Sequence, residues 1–209
     1  HLGSIYERLL EQRLAQTDSG AVVVRPSPFA RKNSGSYYTH DDLVKLILRE
    51  TVGPLAQERT DAFAERLNEL ARKRGQEDVS RLRVELALVD PAQALLNLKV
   101  CDPAMGSGHF LVSLIDDFAD RVLECLADAS ARAEAAGIDR YQSPVTQDIL
   151  RLRERIVAQA QAGRWTIDQS LLDDRHLVRR MILKRVVHGA DKNAMAVELA
   201  KLALWLHTF

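Results

Sequence analysis

The chain has 209 residues, 46% of them hydrophobic and 28% charged, a make-up ordinary for a globular protein and large enough for one substantial core. Its 29 basic and 29 acidic residues cancel to a formal net charge of zero. A module that grips duplex by itself carries a basic excess, so composition excludes the main DNA clamp of a larger machine. No apolar run is long enough to span a bilayer and no leader pattern is visible, which excludes a membrane protein.

Leu2 to Leu14 reads as a helix with Ile5, Leu9 and Leu10 on one face. Ala21 to Val24 is a short β-branched strand that stops before Pro26. Arg31 to Tyr38 is a Gly/Ser-rich loop. Thr39 is placed to cap the next helix, with Asp42 in capping-box position and Leu43, Val44, Ile47 and Leu48 as its apolar face. A second helix runs from Arg59 to Arg74 and ends at Gly75. Between Val84 and Leu96 the pattern is ambiguous and Pro91 breaks it.

Leu98 to Cys101 is a short apolar strand, followed by a turn with Gly106 and Gly108. Phe110, Leu111, Leu114, Ile115, Phe118, Val122 and Leu126 then recur at helical spacing. Ala129 to Gly163 is polar and helix-prone, and Leu171 to Lys184 is a further helix. Its basic residues Arg175, Arg179, Arg180, Lys184 and Arg185 fit a solvated face better than a nucleic-acid contact. Val186 to Ala190 is a strand, and Asn193 caps a final helix reaching His207, apolar all round and therefore expected to be buried. Cys101 and Cys125 have no CxxC spacing and read as buried thiols of a reducing cytoplasm. The opening on His1 and the ending on Phe209 read as cut points in a longer protein.

Two strand–loop–helix units, at residues 98–126 and 186–207, predict an α/β fold: a partial parallel sheet of the Rossmann-like kind. A helical amino-terminal segment is expected over residues 1–97. The partial core follows over 98–209, with a helical insertion at about 127–184, and few β-branched runs between Leu126 and Leu172 predict helices there, not further strands.

The chemistry concentrates in Asp102-Pro103-Ala104-Met105-Gly106-Ser107-Gly108-His109-Phe110-Leu111. A carboxylate ends a strand, glycines admit a ligand close to the backbone, and a helix start offers N–H groups. No Lys follows Gly108, as a phosphate-binding P-loop needs, and Leu111 stands where a dinucleotide fingerprint needs a small residue. A carboxylate ahead of the turn repels pyrophosphate and suits a ligand with a cationic amino end, such as S-adenosylmethionine.

These ten residues resemble motif I of DNA adenine amino-methyltransferases. Ser34-Gly35-Ser36-Tyr37-Tyr38-Thr39 resembles their motif X, with His40 where a proline is usual. Gly189-Ala190-Asp191-Lys192-Asn193-Ala194-Met195-Ala196-Val197-Glu198-Leu199-Ala200 resembles their motif II, with Ala194 where that motif usually has a proline. The order X, I, II is that of the gamma class. Lys201-Leu202-Ala203-Leu204-Trp205-Leu206 resembles large Eco57I-like restriction–modification and phage-defence methylases, and Leu2 to Glu7 resembles their amino-terminal helix. Residues 52–95 and 127–175 resemble nothing nameable.

The resemblance implies a Rossmann-like, S-adenosylmethionine-dependent core and a parent enzyme that methylates adenine at N6 in DNA, in the cytoplasm. It implies that Tyr38, Thr39, Asp102, Ala104, Gly106 and Gly108 hold the methionine end of the cofactor. Asp191 would accept from the ribose hydroxyls and Lys192 would lie beside the adenine ring through its backbone. Asp191 has a second reading, closing a turn before Asn193, and His109 a plain one as the start of a helix. No metal ligand set is visible. Family members place the target adenine with an (N/D/S)-P-P-(Y/F/W) loop, and this sequence has no Pro-Pro pair. No catalytic residue is therefore assigned, and the chain alone is expected to be inactive, with DNA engaged through other parts of the parent. The alternatives are a non-catalytic cofactor-binding or assembly module, and a protein or RNA methyltransferase.

Overall fold

The computed structural model describes residues 11–27, 39–73 and 75–208, the side chain of Gln169 apart. In chain order the elements are β1 (Gln12–Gln16), β2 (Val22–Pro26), α1 (Asp41–Arg72), α2 (Val79–Ala87), α3 (Pro91–Leu96), β3 (Val100–Asp102), α4 (His109–Ala135), α5 (Pro144–Gly163), a 3-10 turn (Gln169–Leu172), α6 (Asp174–Arg185), β4 (Val187–Gly189) and α7 (Ala194–His207). They fall into two compact units. The described residues of His1–Lys45, with Cys101–Ser113 and His188–His207, make one; Leu46–Val100, Leu114–Val187 and Thr208 make the other.

In the first unit, β1 and β2 form an antiparallel hairpin in which Gln12 faces Pro26 and Gln16 faces Val22. This corrects the end of the expected Leu2–Leu14 helix: residues 12–14 are strand, and residues 2–10 lie outside the described ones. The β-branched strand β2 pairs with β1 across the Thr17–Ala21 turn, which the Thr17 carbonyl and hydroxyl hold together. The strand also runs through Pro26 instead of stopping before it. The next ladder bond goes from Ser27 N–H to the Glu11 carbonyl at 2.6 Å, so Pro26 sits at a non-hydrogen-bonded position where its missing N–H costs nothing.

Strands β3 and β4 form a second two-stranded sheet. Val100 N–H bonds the Val186 carbonyl and Ala190 N–H bonds that of Asp102, both at 2.9 Å. The bonds advance in the same direction along both strands, so the pair is parallel. Alternation turns Val100 and Asp102 to one side and Cys101 to the other. Cys101 is exposed, which corrects its reading as a buried thiol: nothing among the described residues covers that face. Cys125 is half-buried, and burial pushes its thiol up.

Helix α7 is likewise less buried than an all-apolar helix should be. Ala196 and Ala200 are buried, while Met195, Leu202, Trp205 and Leu206 are exposed. The buried side of α7 is therefore a small-residue face that permits close backbone approach.

The second unit is helical, and between Leu126 and Leu172 it holds no strand. Phe63, Leu67 and Leu70 of α1 pack with Leu82 and Leu86 of α2, Ala129 and Ala133 of α4, and Ile138 and Tyr141. On α6 Arg175 and Lys184 are exposed, as a solvated face requires, and three of its arginines also pair with carboxylates of other helices. Arg179 pairs with Asp116 at 2.6 Å, Arg175 with Asp120 at 2.7 Å and Arg185 with Asp148 at 2.9 Å. Among the described residues, no helix is long and apolar enough to cross a membrane.

The two helices expected on either side of Gly53-Pro54 are one helix of 32 residues with Pro54 inside it. The apolar stripe Leu48, Val52, Ala56, Phe63 and Leu67 is buried on both sides of the proline, and that burial outweighs the missing N–H. Pro54 is itself exposed, so Pro54→Ala restores a backbone donor at no packing cost. It is expected to stabilise the protein by roughly 1–2 kcal/mol, read as a higher denaturant midpoint with an unchanged slope. A lower midpoint would mean that the proline bend itself is needed to seat the stripe.

Candidate functional site

The glycine loop after β3 and the turn after β4 are brought together within the first unit. Met105 N–H donates to the Ala190 carbonyl at 3.1 Å. One residue on, Gly106 N–H donates to Asp191 Oδ2 at 2.9 Å. Asp191 Oδ1 accepts from Asn193 N–H at 2.8 Å. Parallel pairing explains the placement, because it sets both strand ends at one edge, where the loops of an α/β unit hold their ligands.

Asp191 thus closes the turn before Asn193 and also clamps the other loop. Each carboxylate oxygen retains a second lone pair, so the turn-closing role leaves acceptor capacity. Asp102 is half-buried, and its Oδ1 accepts from Ala104 N–H at 3.0 Å. Among the described residues, no donor reaches its Oδ2. Ala104 and Lys192 are exposed. Asn193 Oδ1 accepts from Met195 N–H at 3.1 Å, capping α7 as expected.

The two glycines differ. Gly106 has φ +55° and a Cβ there would meet nothing within 4 Å, so space lies open beside it. Gly108 has φ +83°, and a Cβ there would stand 3.1 Å from the Cα and the Cβ of Ala200. Among the described residues, the room that a close ligand approach needs, expected at both glycines, is present at Gly106. Gly108 serves the seating of the loop on α7.

Tyr38 lies outside the described residues. Thr39 is described, but α1 starts at Asp41 and the capping position is His40: its carbonyl accepts from Leu43 and Val44, and its Nδ1 from Asp42 N–H at 3.3 Å. The expected Thr39 cap is one residue off, because a ring nitrogen takes the place of the hydroxyl.

A contact not legible in the sequence motifs joins the segments that follow the stretches resembling motifs X and I. His109 Nε2 lies 2.8 Å from Asp41 Oδ1, with the His109 side chain 18% exposed. Both residues open their helices, α4 and α1, and that shared position was the available signal. Among the described residues, no group of three or more His, Cys, Asp or Glu side chains is placed to hold a metal ion.

The donor set suits a ligand with a cationic amino end and a hydroxylated middle. The second oxygen of Asp102 can take an ammonium, the space at Gly106 admits a backbone-hugging chain, and Asp191 can still accept from hydroxyls.

Among known proteins, the chain is 24% identical over 217 aligned residues to a protein of Methanocaldococcus jannaschii described as "Putative type II restriction enzyme and methyltransferase". The alignment covers 98% of this chain and 13% of that protein. No family model matches the chain, and no solved structure matches it.

Proposed function

We propose that this chain is the S-adenosylmethionine-holding part of a DNA adenine methyltransferase of the restriction–modification type, with a Rossmann-like core. The observation that carries the reading is the bond from Gly106 N–H to Asp191 Oδ2. It joins the two segments that resemble motifs I and II into one acidic, glycine-lined edge. The distant likeness to a protein described as both restriction enzyme and methyltransferase supports the same class.

Bound at this edge, S-adenosylmethionine supplies a methyl group on a sulfonium, ready for transfer to an amine. The work of the chain is to hold and orient. Asp102 would take the amino end, Gly106 would let the ligand run close to the backbone, Asp191 would accept from the ribose hydroxyls, Lys192 would meet the adenine through its backbone, and Tyr38 and Thr39 would hold the methionine end. Ala104 and Gly108 shape the loop. The adenine to be methylated is flipped out of DNA and placed by other parts of the parent protein, and catalysis rests on positioning.

Calorimetric titration with S-adenosylmethionine tests this. Asp102→Ala and Asp191→Ala each remove an acceptor worth about 1.5–3 kcal/mol to a charged or strongly polar donor, a loss of roughly 10- to 100-fold in affinity. Unchanged affinity in both variants would end the assignment. So would a parent protein that transfers methyl groups to protein or RNA and not to DNA.

A further inference from the structure

We infer that Arg13 and Arg25, directly opposed on the β1–β2 hairpin, form a clamp for a phosphate of the nucleic-acid backbone.

The register places Arg13 opposite Arg25. The ladder bond from Ser27 to Glu11 fixes the alternation, so Gln12 and Pro26 are a non-hydrogen-bonded pair and Arg13 and Arg25 a hydrogen-bonded one. Such residues have Cα atoms roughly 5.5 Å apart and side chains on one face of the ribbon. Both arginines are exposed. Like charges directly opposed across a ribbon destabilise it, so the hairpin carries this pair at a cost.

Among the described residues neither Arg13 nor Arg25 forms an ion pair with a carboxylate; Glu11, two residues along the same face, is the nearest acid in the alternation. Several arginines are neutralised within the fold, as Arg66 is by Glu69 and Glu85, Arg121 by Asp117 and Arg179 by Asp116; what sets Arg13 and Arg25 apart is that they stand directly opposite each other. Two exposed guanidinium groups on one face, with no ion pair among the described residues, make a local anion site in a chain of zero net charge. Two guanidinium forks on one ribbon face match the oxygens of one phosphodiester, which each can take bidentately. The contact is sequence-independent, as backbone contacts are, and fixes register without reading bases. This clamp deepens the reading above and rests on its nucleic-acid acceptor; the hairpin belongs to the same unit as the two cofactor loops.

The test is fluorescence anisotropy with a labelled mixed-sequence DNA duplex, across a salt series, with S-adenosylmethionine affinity and thermal unfolding measured on the same samples. Arg13→Gln with Arg25→Gln is expected to weaken duplex binding at least about 10-fold at low salt. It should also lower the slope of log affinity against log salt by about 1–2. Because a repulsive pair is removed, the double variant should melt at the same temperature or higher, which separates lost binding from lost folding. Arg13→Lys with Arg25→Lys keeps the charge and should keep the salt slope while losing affinity.

Duplex affinity and slope unchanged in the glutamine variant, or no duplex binding by the unmodified chain, overturn the clamp. So does competition by inorganic phosphate at matched phosphate concentration, which would make the site one for free phosphate. Binding to phosphatidylserine vesicles that the glutamine substitutions abolish, with duplex binding intact, would reassign the pair to a membrane surface. Intact cofactor binding alongside any of these results leaves the cofactor reading standing, whereas lost cofactor affinity in Asp102→Ala and Asp191→Ala bears on that reading alone.

Discussion

Asp90→Ala is expected to destabilise the protein by about 3–5 kcal/mol, because one buried carboxylate satisfies three donors that would lose their acceptor together. Asp90 is 1% exposed. Its Oδ2 accepts from the Tyr141 hydroxyl at 2.7 Å, and its Oδ1 from the Ser143 hydroxyl at 2.9 Å and from Gln93 N–H at 2.8 Å. Ser143 in turn accepts from Val145 N–H at 3.2 Å and caps α5. The starts of α3 and α5 therefore hang on a single side chain 51 and 53 residues away from its two hydroxyl partners. Each orphaned buried donor costs about 1–3 kcal/mol, and the sum falls short of full additivity because the hydroxyls can turn to other acceptors. Asp90→Asn keeps the shape and one acceptor, so its loss should be clearly smaller. Equal losses for Asn and Ala in urea unfolding would mean that packing, not acceptor number, sets the cost.

The same network carries a pH signature. Burial first, then the charge and hydrogen bond of the Asp90 carboxylate, push the Tyr141 phenol well above its ordinary value. A group whose folded pKa is raised contributes stability that is fully present below the unfolded value, about 10 for a phenol. That contribution is lost as pH climbs from there toward the folded value. The difference in stability between the unmodified protein and Tyr141→Phe should accordingly be flat at neutral pH and shrink above about pH 10. A difference that stays constant into strong alkali would show that the phenol is not held neutral by this site.

How much of this could be read beforehand depends on how local the cause was. The strand ends around Cys101 and Val187, the break at Pro91, the Asn193 cap and the long helix after Gly108 follow from short-range rules: alternation, a missing N–H, a capping oxygen, helical spacing. The meeting of Gly106 with Asp191 was legible only through the resemblance, since 85 residues separate them. The hairpin was not legible, because Gln12 to Gln16 lacks β-branched residues and becomes strand by pairing with the Val22–Pro26 segment, a tertiary override of propensity. The continuity of α1 through Pro54 was hidden for a similar reason: burial of one stripe decides it, and a stripe is not visible as buried until its partners are known. The ion pairs of the α6 arginines are not legible in the sequence because their acids, Asp116, Asp120 and Asp148, lie on other helices. Cys101 ends an apolar run and so reads as buried, but a strand turns alternate side chains to opposite faces, and the face Cys101 takes is exposed.

The contrast between the two loop glycines yields the sharpest expectation at the candidate site. Gly108→Val should destabilise the protein by about 2–6 kcal/mol: about 1–3 for a β-branched residue at positive φ, and about 1–3 for forcing atoms into a packed contact. The atoms it would displace are the Cα and Cβ of Ala200 at 3.1 Å and its carbonyl oxygen at 3.5 Å. Those belong to a buried residue of a helix and cannot swing aside as the tip of a flexible side chain can. Relief must come from α7 moving off the loop, and α7 begins just after Asp191. The bond from Gly106 to Asp191 is then strained along with the packing, so affinity for S-adenosylmethionine should fall with stability. Gly106→Ala makes the control. It has a positive φ but no neighbour within 4 Å of the added Cβ, so its folding cost is limited to the local strain of about 1–2 kcal/mol. Its Cβ nevertheless enters the space assigned to the ligand. Gly106→Ala should therefore lose cofactor affinity with little loss of stability, and Gly108→Val should lose both. Chemical denaturation and calorimetric titration of the two variants side by side decide it: a larger folding loss in Gly106→Ala than in Gly108→Val would refute the account of α7 packing, and unaltered cofactor affinity in Gly106→Ala would refute the placement of the ligand against that glycine.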